Sequence, residues 1–272
     1  MNYRQQLIRH YGSGEGNALY RHIMEECFAL SQTDILLGKD SDFSAKDELR
    51  LQEITLRLLK NEPIQYILGQ CRFLGHTFCV HQGALIPRPE TEQLVTMLSK
   101  ELEGERACIL DIGTGTGCIA VSLALLGHVV TAMDISPEAL DIARENARKL
   151  GTEVEFLHED ILNPRQTARK WDAIISNPPY VMDHEKAEMQ DNVLQYEPEN
   201  ALFVPDCDPL LFYKAIADFG QKHLNARGRL YFEINHKLAR ETANVLDSRG
   251  YTDIKITKDQ YEKERFVTAY LE

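Results

Sequence analysis

Four consecutive residues, Asn177-Pro178-Pro179-Tyr180, close an apolar run and could bind a planar nitrogen. The Asn177 side-chain oxygen and the Pro178 backbone carbonyl are two acceptors for the two N–H bonds of a conjugated NH2 group. A carboxamide nitrogen is a poor nucleophile because its lone pair is conjugated with the carbonyl group. Acceptors on both hydrogens would orient this nitrogen and favour the positive charge that develops as it attacks. We expect Asn177, Pro178, Pro179 and Tyr180 to bind the substrate, with Asn177, Pro178 and Tyr180 acting in catalysis and Tyr180 packing on the flat group.

A second motif, Asp111-Ile-Gly-Thr-Gly-Thr-Gly117, closes the apolar run that begins at Ala107. Glycines where a strand turns into a helix let the backbone approach a ligand and leave helix-terminal N–H groups free to meet a carboxylate. Dinucleotide-binding folds place glycines at the same turn, but their strict spacing fails here because Cys118 occupies the last glycine position. The residues expected to contact a nucleoside cofactor are Gly113, Thr114, Gly115, Thr116 and Gly117.

Two acids follow the next two strand-like runs. Asp134 is placed to accept hydrogen bonds from two ribose hydroxyls, a role that NAD and S-adenosylmethionine (SAM) sites share. Asp160 could accept from an adenine amino group, while Ile161 and Leu162 could cover the ring. Asp134 could instead be a solvated acid at a strand end. Asp160 could instead be an acid in a polar loop, with Ile161 and Leu162 as core aliphatic residues. We expect Asp134, Asp160 and Leu162 to belong to the cofactor site.

Short apolar segments alternate with helical segments from Ala107 onward, which predicts a parallel sheet covered on both faces. Ile254–Ile256 and Phe266–Leu271 are separated by a polar stretch instead of a helix, which predicts an antiparallel pair. One reversed strand distinguishes class I methyltransferases from dinucleotide-binding dehydrogenases, so SAM is favoured over NAD. The predicted strands before that pair are Ala107–Ile112, Val129–Asp134, Val154–His158, Trp171–Ser176 and Arg229–Ile234, and the predicted helices are Gly117–Leu126, Pro137–Leu150, Pro209–Leu224 and Lys237–Ser248.

The first 70 residues predict a small helical bundle. Leu51, Ile54 and Leu58 recur at helical spacing, and Ser44 has the form of a helix N-cap. Between Pro63 and Pro87 the pattern changes to that of a hairpin or extended linker. The expected domains are a substrate-docking helical bundle over 1–70, a hairpin linker over 71–86 and a methyltransferase domain over 87–272.

The composition excludes several classes of protein. A net charge of −12 argues against a protein whose affinity comes from neutralising phosphates, so we expect no direct nucleic-acid binding. The six cysteines show neither a CxxC pair nor zinc-site spacing, so we expect reduced thiols and no metal. The N-terminus lacks an apolar signal region, and no apolar run approaches the roughly 20 residues of a membrane span. We therefore expect a cytoplasmic protein that does not enter membranes. Separately, we expect a monomer.

Four motifs together resemble those of the bacterial release-factor glutamine methyltransferases, in that family's order and spacing and over nearly the whole chain. The resemblance implies a class I SAM-dependent methyltransferase with an α/β, Rossmann-like fold. Its sheet would be seven-stranded and mostly parallel with one antiparallel strand, preceded by a small N-terminal helical domain. The chain departs from the family's pattern at Ala201–Pro209, where prolines stand in place of a glycine-rich stretch. The motifs are Pro87-Arg-Pro-Glu-Thr-Glu92, Asp111-Ile-Gly-Thr-Gly-Thr-Gly117, Asn177-Pro-Pro-Tyr180 and Tyr196-Glu-Pro198.

The resemblance implies methyl transfer from SAM to the side-chain amide nitrogen (N5) of the glutamine in the Gly-Gly-Gln motif of class 1 peptide chain release factors. S-adenosylhomocysteine would be the second product. By position, Gly113–Gly117, Asp134, Leu162 and Asn177 would contact SAM, and Asn177–Tyr180 would hold the glutamine. Pro87–Glu92 would line the methionine end of the cofactor or the substrate entrance.

Other functions fit parts of this pattern. A glutamine methyltransferase of a ribosomal protein would use the same tetrapeptide. An adenine-N6 DNA methyltransferase acts on a similarly conjugated amino group, but it would have to flip its base and bind a nucleic-acid backbone, which the acidic composition disfavours. In a non-catalytic SAM-fold binding module, the tetrapeptide would be an idle turn.

Overall fold

The computed structural model describes residues 2–272, with Ser41 described by its backbone alone. The chain forms two compact units. The first runs to Leu68 and includes Asp191–Tyr196, and the second comprises Gly69–Gln190 and Glu197–Glu272. Within residues 2–272, no helix is both long and apolar enough to cross a membrane.

The first unit is helical, as the spacing of its apolar residues predicts. Ser44 caps its third helix by accepting a hydrogen bond from the Asp47 amide, and the Asp47 side chain returns the bond to the Ser44 amide. Leu51, Ile54 and Leu58 on that helix are buried against the first helix. The helices are α1 (Tyr3–Phe28, with a non-helical Gly12), α2 (Gln32–Leu36), α3 (Ala45–Leu58), α4 (Ile64–Leu68) and α8 (Asp191–Tyr196).

The segment after Pro63 begins with a helix that its sequence pattern did not predict. The Pro63 carbonyl accepts hydrogen bonds from the amides of Tyr66 and Ile67, which closes the single turn of α4. The predicted hairpin follows as β1 (Gln70–Phe73) and β2 (His76–Cys79). Its turn, Leu74-Gly75, has positive φ at both residues, the geometry that suits the twist of a two-residue hairpin.

A seven-stranded sheet forms the centre of the second unit. The strand order is β10-β11-β9-β6-β3-β4-β5, and β11 is antiparallel to both of its neighbours while the remaining pairs are parallel. This confirms the predicted fold class and the reversed strand. These strands are β3 (Cys108–Ile112), β4 (Val129–Asp134), β5 (Val154–His158), β6 (Trp171–Ser176), β9 (Leu224–Glu233), β10 (Tyr251–Lys258) and β11 (Glu264–Leu271).

Helices cover both faces of the sheet and bury its apolar strands. The α7 helix has the ends that its sequence predicts, since the Ser136 side chain accepts from the Ala139 amide and Gly151 follows with positive φ. On one face α5, α6 and α7 pack on residues such as Ile109 and Val130, and on the other α9 and α10 pack on residues such as Leu110 and Ile174. The helices are α5 (Pro89–Glu101), α6 (Cys118–Leu125), α7 (Pro137–Leu150), α9 (Leu211–His223) and α10 (Ala239–Asp247).

The order of the strands determines where a ligand can bind. The chain leaves β3 toward β4 and β5 on one side and returns to β6 and β9 on the other, so the direction of winding reverses between β3 and β6. The crevice outside the carboxyl ends of strands at such a reversal is where open α/β sheets bind ligands. The Ser176 hydroxyl donates to the Ile112 carbonyl at 2.6 Å and ties these two strand ends together.

Candidate functional site

A cavity of about 440 Å³ opens at the carboxyl ends of β3, β4 and β6. Gly113, Asp134 and Asn177, which follow or end these three strands, all line it. A larger depression of about 1090 Å³ lies at the opposite ends of β3 and β6, where Ala107 and Asp172 line it. We assign the site to the smaller cavity because it lies at the strand ends that bind ligands in this topology.

The glycine loop between β3 and α6 is shaped by its own residues. Gly113, Gly115 and Gly117 all have φ between 54° and 78°, a region that residues with a Cβ rarely adopt. The buried carboxylate of Asp111 accepts from the Thr114 hydroxyl at 2.6 Å and from the Ala120 amide at 3.2 Å. Burial raises the pKa of Asp111 to about 7, despite these two hydrogen bonds. Asp111 therefore organises the loop from beneath.

The predicted cofactor residues divide into two sets. Six of them line the cavity: Gly113, Gly115, Asp134, Asp160, Leu162 and Asn177. The other predicted residues, Thr114, Thr116 and Gly117, are buried within the loop and lie outside the set that lines the cavity. A Cβ on Gly117 would stand 2.9 Å from the Cβ of Ala143, so this glycine lets α6 and α7 pack closely. Contact of these three residues with a cofactor stays a prediction.

Asp134 connects the glycine loop to the start of α7. Its Oδ2 accepts from the Gly115 amide at 2.8 Å, and its Oδ1 accepts from the Ser136 amide at 2.9 Å. Burial raises the pKa of this carboxyl, and the backbone donors oppose that shift. Each carboxylate oxygen has a second lone pair, so Asp134 retains acceptor capacity toward the cavity.

The apolar lining of the cavity fits a nucleoside. Ile135 and Leu162 line it and are 54% and 44% exposed, large fractions for side chains of this size and polarity. Asp160 lies beside them, and its Oδ1 accepts from the Leu162 amide at 2.9 Å. A planar base placed between these side chains would remove their apolar surface from water, and the cavity has the volume of a small-molecule site. These residues therefore suit the adenosine part of SAM.

Asn177 is held by a residue from α5. Its Nδ2 donates to the Thr91 hydroxyl oxygen at 3.1 Å, and the Thr91 hydroxyl in turn donates to Glu233 Oε2 at 2.7 Å. The Oδ1 atom is the other branch of the same planar amide, so fixing Nδ2 also fixes Oδ1. Pro178 and Pro179 have no backbone N–H, so this part of the chain presents acceptors and no donors to a bound NH2 group.

Tyr180 is anchored at both its hydroxyl and its backbone. The hydroxyl donates to Glu233 Oε1 at 3.2 Å, and the carbonyl accepts from Asn235 Nδ2 at 3.1 Å. Asn235 Nδ2 also donates to Glu185 Oε2 at 2.8 Å. Burial is the largest cause that raises the pKa of the Tyr180 hydroxyl, and the neighbouring charge of Glu233 adds to it. Tyr180 is therefore a neutral hydroxyl at physiological pH.

The segment before α5 is joined to the site by Glu197. Its side chain is almost fully buried and accepts from the Arg88 guanidinium at 2.6 Å and from the Ile86 amide at 3.3 Å. This ion pair connects two motifs that the sequence places more than a hundred residues apart, since Arg88 and Glu197 differ by 109 positions. It fixes the backbone that leads to Thr91.

The stretch after Ala201 also supports the tetrapeptide. Its first residues form β8 (Phe203–Val204), which pairs in parallel with β7 (Val181–Met182) directly after Tyr180. The Val181 amide donates to the Leu202 carbonyl at 2.9 Å. The proline-containing stretch that departs from the family's pattern is thus ordered against the residues that follow the tetrapeptide.

Comparison with known proteins shows which family this chain belongs to. Residues 2–69 match the PrmC N-terminal domain, and residues 89–200 match the Methyltransferase small domain. The release factor glutamine methyltransferase of Bacteroides thetaiotaomicron is 45% identical over 98% of this chain and 96% of its own length. The enzyme of the same name from Flavobacterium psychrophilum is 40% identical over 98% of this chain and 97% of its length. The chain belongs to the release factor glutamine methyltransferase family.

A solved structure supports the fold of this methyltransferase. A methyltransferase from Pyrococcus furiosus superposes with a TM-score of 0.54 at 19% sequence identity, over 79% of this chain and 96% of that one. At this level of identity the likeness concerns the fold alone. The relatives confirm the predicted family and class of enzyme, and this structure supports the predicted fold.

Sequence reasoning missed Thr91, Glu233 and Asn235 as residues of the site. Thr91 lies inside the Pro87–Glu92 motif, but nothing in the sequence indicates that it forms a hydrogen bond with Asn177. Glu233 did offer a signal, because an acid within the apolar run Leu230–Ile234 must be buried and must therefore have polar partners.

Proposed function

We propose that this SAM-dependent methyltransferase methylates the side-chain amide nitrogen (N5) of the glutamine in the Gly-Gly-Gln motif of class 1 peptide chain release factors, in the cytoplasm. The observation that best supports this is that Asn177 and Pro178 both line a nucleoside-sized cavity, with the Asn177 amide hydrogen-bonded to Thr91. The names of the curated relatives support the same substrate.

In this proposal, four cavity residues bind the adenosine part of SAM. Asp134 accepts from the ribose hydroxyls, Asp160 accepts from the adenine amino group, and Ile135 and Leu162 cover the ring. When bound, SAM supplies an electrophilic methyl carbon on a positively charged sulfur. The glycine loop lies at the start of α6, where free N–H groups and the helix dipole favour a carboxylate.

The acceptor site activates the glutamine by orientation. Asn177 Oδ1 and the Pro178 carbonyl accept the two N–H bonds, which aims the nitrogen lone pair at the methyl group. Hydrogen bonds to a group that gains charge contribute roughly 1.5–3 kcal/mol each, and positioning can supply about 7–11 kcal/mol more. With SAM bound, the new N–C bond would form as the C–S bond breaks and S-adenosylhomocysteine leaves, so the nitrogen would become cationic and acidic. The nitrogen would then lose one proton to solvent water, so no strong base is needed before the attack.

The helical unit is proposed to dock the intact release factor. Leu49 and Leu56 are separated by two helical turns on α3 and are 66% and 52% exposed, so the helix presents apolar surface on one face. An intact protein substrate has enough surface to cover both leucines, whereas a short Gly-Gly-Gln peptide has not.

The experiment that tests the function incubates the protein with methyl-labelled SAM and three separately purified acceptors. These are a class 1 release factor, ribosomal proteins and DNA, and the label is located by mass spectrometry. The proposal expects label on the glutamine of the release factor's Gly-Gly-Gln motif. Label confined to a ribosomal protein or to adenine would overturn it.

A further inference from the structure

A directional chain of hydrogen bonds joins Glu233 to the acceptor site. Glu233 Oε2 accepts from Thr91, and the Thr91 oxygen accepts from Asn177 Nδ2. The other oxygen of the same carboxylate accepts from the Tyr180 hydroxyl. Glu233 is only 1% exposed, and neither it nor Tyr180 is among the residues that line the cavity. Glu233 can therefore act on a substrate through Thr91 and Asn177, because Asn177 does line the cavity.

The direction of this chain depends on the charge of Glu233. An ionised carboxylate can only accept hydrogen bonds. Thr91 must then donate its single hydrogen to Glu233, which leaves the Thr91 oxygen as an acceptor. Only the NH2 branch of Asn177 can satisfy that acceptor, so Oδ1 points away from Thr91. If Glu233 is protonated, it can donate to Thr91 instead, and the Thr91 hydrogen is then free to bind the oxygen branch of Asn177.

We propose that Glu233 is a positioning residue whose ionised form, acting through Thr91, holds the Asn177 oxygen toward the acceptor nitrogen. A reversed Asn177 amide would meet the NH2 group of the substrate with its own NH2 group, donor against donor. Each hydrogen bond in a chain also polarises the next, so an ionised Glu233 strengthens the oxygen of Asn177 as an acceptor. This inference deepens the role given to Asn177 and rests on the proposed function.

The surroundings of Glu233 set the pH at which this control operates. From α5, Thr91 donates to it and the charge of Glu90 opposes its ionisation. From β11 the positive charge of Arg265 favours ionisation, and Arg265 itself is paired with Asp259 at 3.2 Å. From the tetrapeptide, Tyr180 donates to the carboxylate, and from α9 the Tyr213 hydroxyl donates to the Glu233 backbone carbonyl at 3.3 Å.

Burial outweighs these favourable contacts and raises the pKa of Glu233 to about 7, from the ordinary value of 4.5. Near neutral pH the side chain is therefore divided between its two forms. If only the ionised form positions Asn177, kcat at about pH 5.5 is about thirtyfold below its plateau at alkaline pH. Asp111 also has a pKa of about 7. Because it lies under the glycine loop, we expect its titration to change the KM for SAM and not kcat.

The first test needs no acceptor substrate. Protein labelled with 15N-asparagine is titrated from about pH 5.5 to 9, and the Asn177 side-chain NH2 signal is assigned by its loss in Asn177→Ala. The proposal expects this signal to shift with a midpoint near 7, which is the pKa of Glu233. The shift should be absent in Glu233→Gln and in Thr91→Val, and Thr91→Ser should restore it. An Asn177 signal that is flat in the wild type, or that titrates unchanged in Glu233→Gln, overturns the proposal.

The second test measures kcat and the KM for SAM across the same pH range with a class 1 release factor. Glu233→Gln should remove the acid limb of kcat, and Thr91→Val should lower kcat by about 10- to 100-fold with the KM for SAM within about threefold. Thr91→Ser should recover most of the loss, because it keeps the hydroxyl.

Two matched variants control for the loss of buried polar groups. Thr242→Val removes a buried threonine hydroxyl that donates to the carbonyl of Leu238, the residue before α10. Glu101→Gln changes another carboxylate that accepts from a tyrosine hydroxyl, that of Tyr231. Both should keep the wild-type pH profile. Wild-type kcat and an intact acid limb in Glu233→Gln overturn the proposal. If the wild-type protein does not methylate the release factor while its Asn177 signal titrates as expected, only the proposed function is overturned.

Discussion

The glycine loop and the tetrapeptide Asn177–Tyr180 meet at one cavity but are held by contacts of different range. The hydrogen bonds of Asp111 and Asp134 that shape the loop span 3, 9 and 19 residues. Those that hold the tetrapeptide span 86, 53 and 55 residues and come from α5 and the end of β9.

This difference separates binding from chemistry. Most of the hydrogen-bond partners of the loop are close to it in the sequence, so the loop can form as soon as β3, β4 and α6 form. The tetrapeptide becomes an acceptor site only when α5 and β9 bring Thr91, Glu233 and Asn235 to it. Changes in the loop should therefore alter cofactor affinity, and changes in the tetrapeptide or its distant supports should alter turnover.

The largest effect is expected for Asn177→Ala. It removes one of the two acceptors and the orientation of the nitrogen, so kcat should fall by about 10³-fold, the upper end for loss of one preorganised hydrogen bond. The Kd for SAM should stay within about threefold of wild type, as measured by calorimetry. Asn244→Ala, at an exposed position of α10, is the control. Retention of full kcat in Asn177→Ala would remove the acceptor role.

Asp134→Ala tests whether the glycine loop and its carboxylate partner control the affinity for SAM. It deletes the proposed ribose acceptor and leaves the Gly115 amide without its carboxylate partner. Loss of such charged hydrogen bonds should raise the Kd for SAM by about 100-fold, while kcat at saturating SAM changes only a fewfold. Calorimetry and steady-state kinetics on the same preparation measure both quantities. A normal Kd for SAM with a large loss of kcat would contradict the assignment of cofactor affinity to the loop and of turnover to the tetrapeptide.

A smaller effect is expected from the helical unit. The double variant Leu49→Ser and Leu56→Ser should raise the KM for intact release factor by about 3- to 10-fold, since each leucine contributes up to about 1–2 kcal/mol when covered. The KM for a short Gly-Gly-Gln peptide should not change. Leu126→Ser, at a position 58% exposed in the second unit, is the matched control. Equal effects on protein and peptide would remove the docking role.

The smallest effect concerns stability. The pKa of Glu233 is about 7 in the folded protein against an ordinary 4.5, so the folded state holds this proton more tightly than the unfolded chain. Stability is therefore lost as pH rises from about 4.5 to 7. Glu233→Gln lacks this penalty, so its Tm should exceed that of the wild type by a few degrees at about pH 8 and match it near pH 4.5. A Tm difference that is the same at both pH values would contradict this origin.

The same contrast explains what the sequence could predict. The α7 helix was predicted residue for residue because its N-cap, its first-turn proline and its terminal glycine are local signals. The reversed β11 followed from the absence of a helix between the last two runs. The helix at Ile64–Leu68 and the pairing of β7 with β8 were missed, because each is too short to show a period.

The support of the acceptor site could not be predicted for a different reason. Glu233 and Thr91 are 142 positions apart, and only the folded sheet brings them together. The types of two residues so far apart in the sequence do not show whether they are close in space. An acid within the apolar run of β9 shows that Glu233 needs polar partners, but not which ones.

The recognition of a glutamine side chain can be measured by comparing methyl transfer to a wild-type release factor with transfer to one whose Gly-Gly-Gln glutamine is replaced by asparagine. The acceptor site holds an NH2 group at a fixed distance from the methyl carbon, and asparagine is shorter by one methylene group. We predict labelled methyl on the glutamine side-chain nitrogen and at most about 1% of that rate on the asparagine variant. Equal labelling of both proteins, or label at any other position of the release factor, would contradict it.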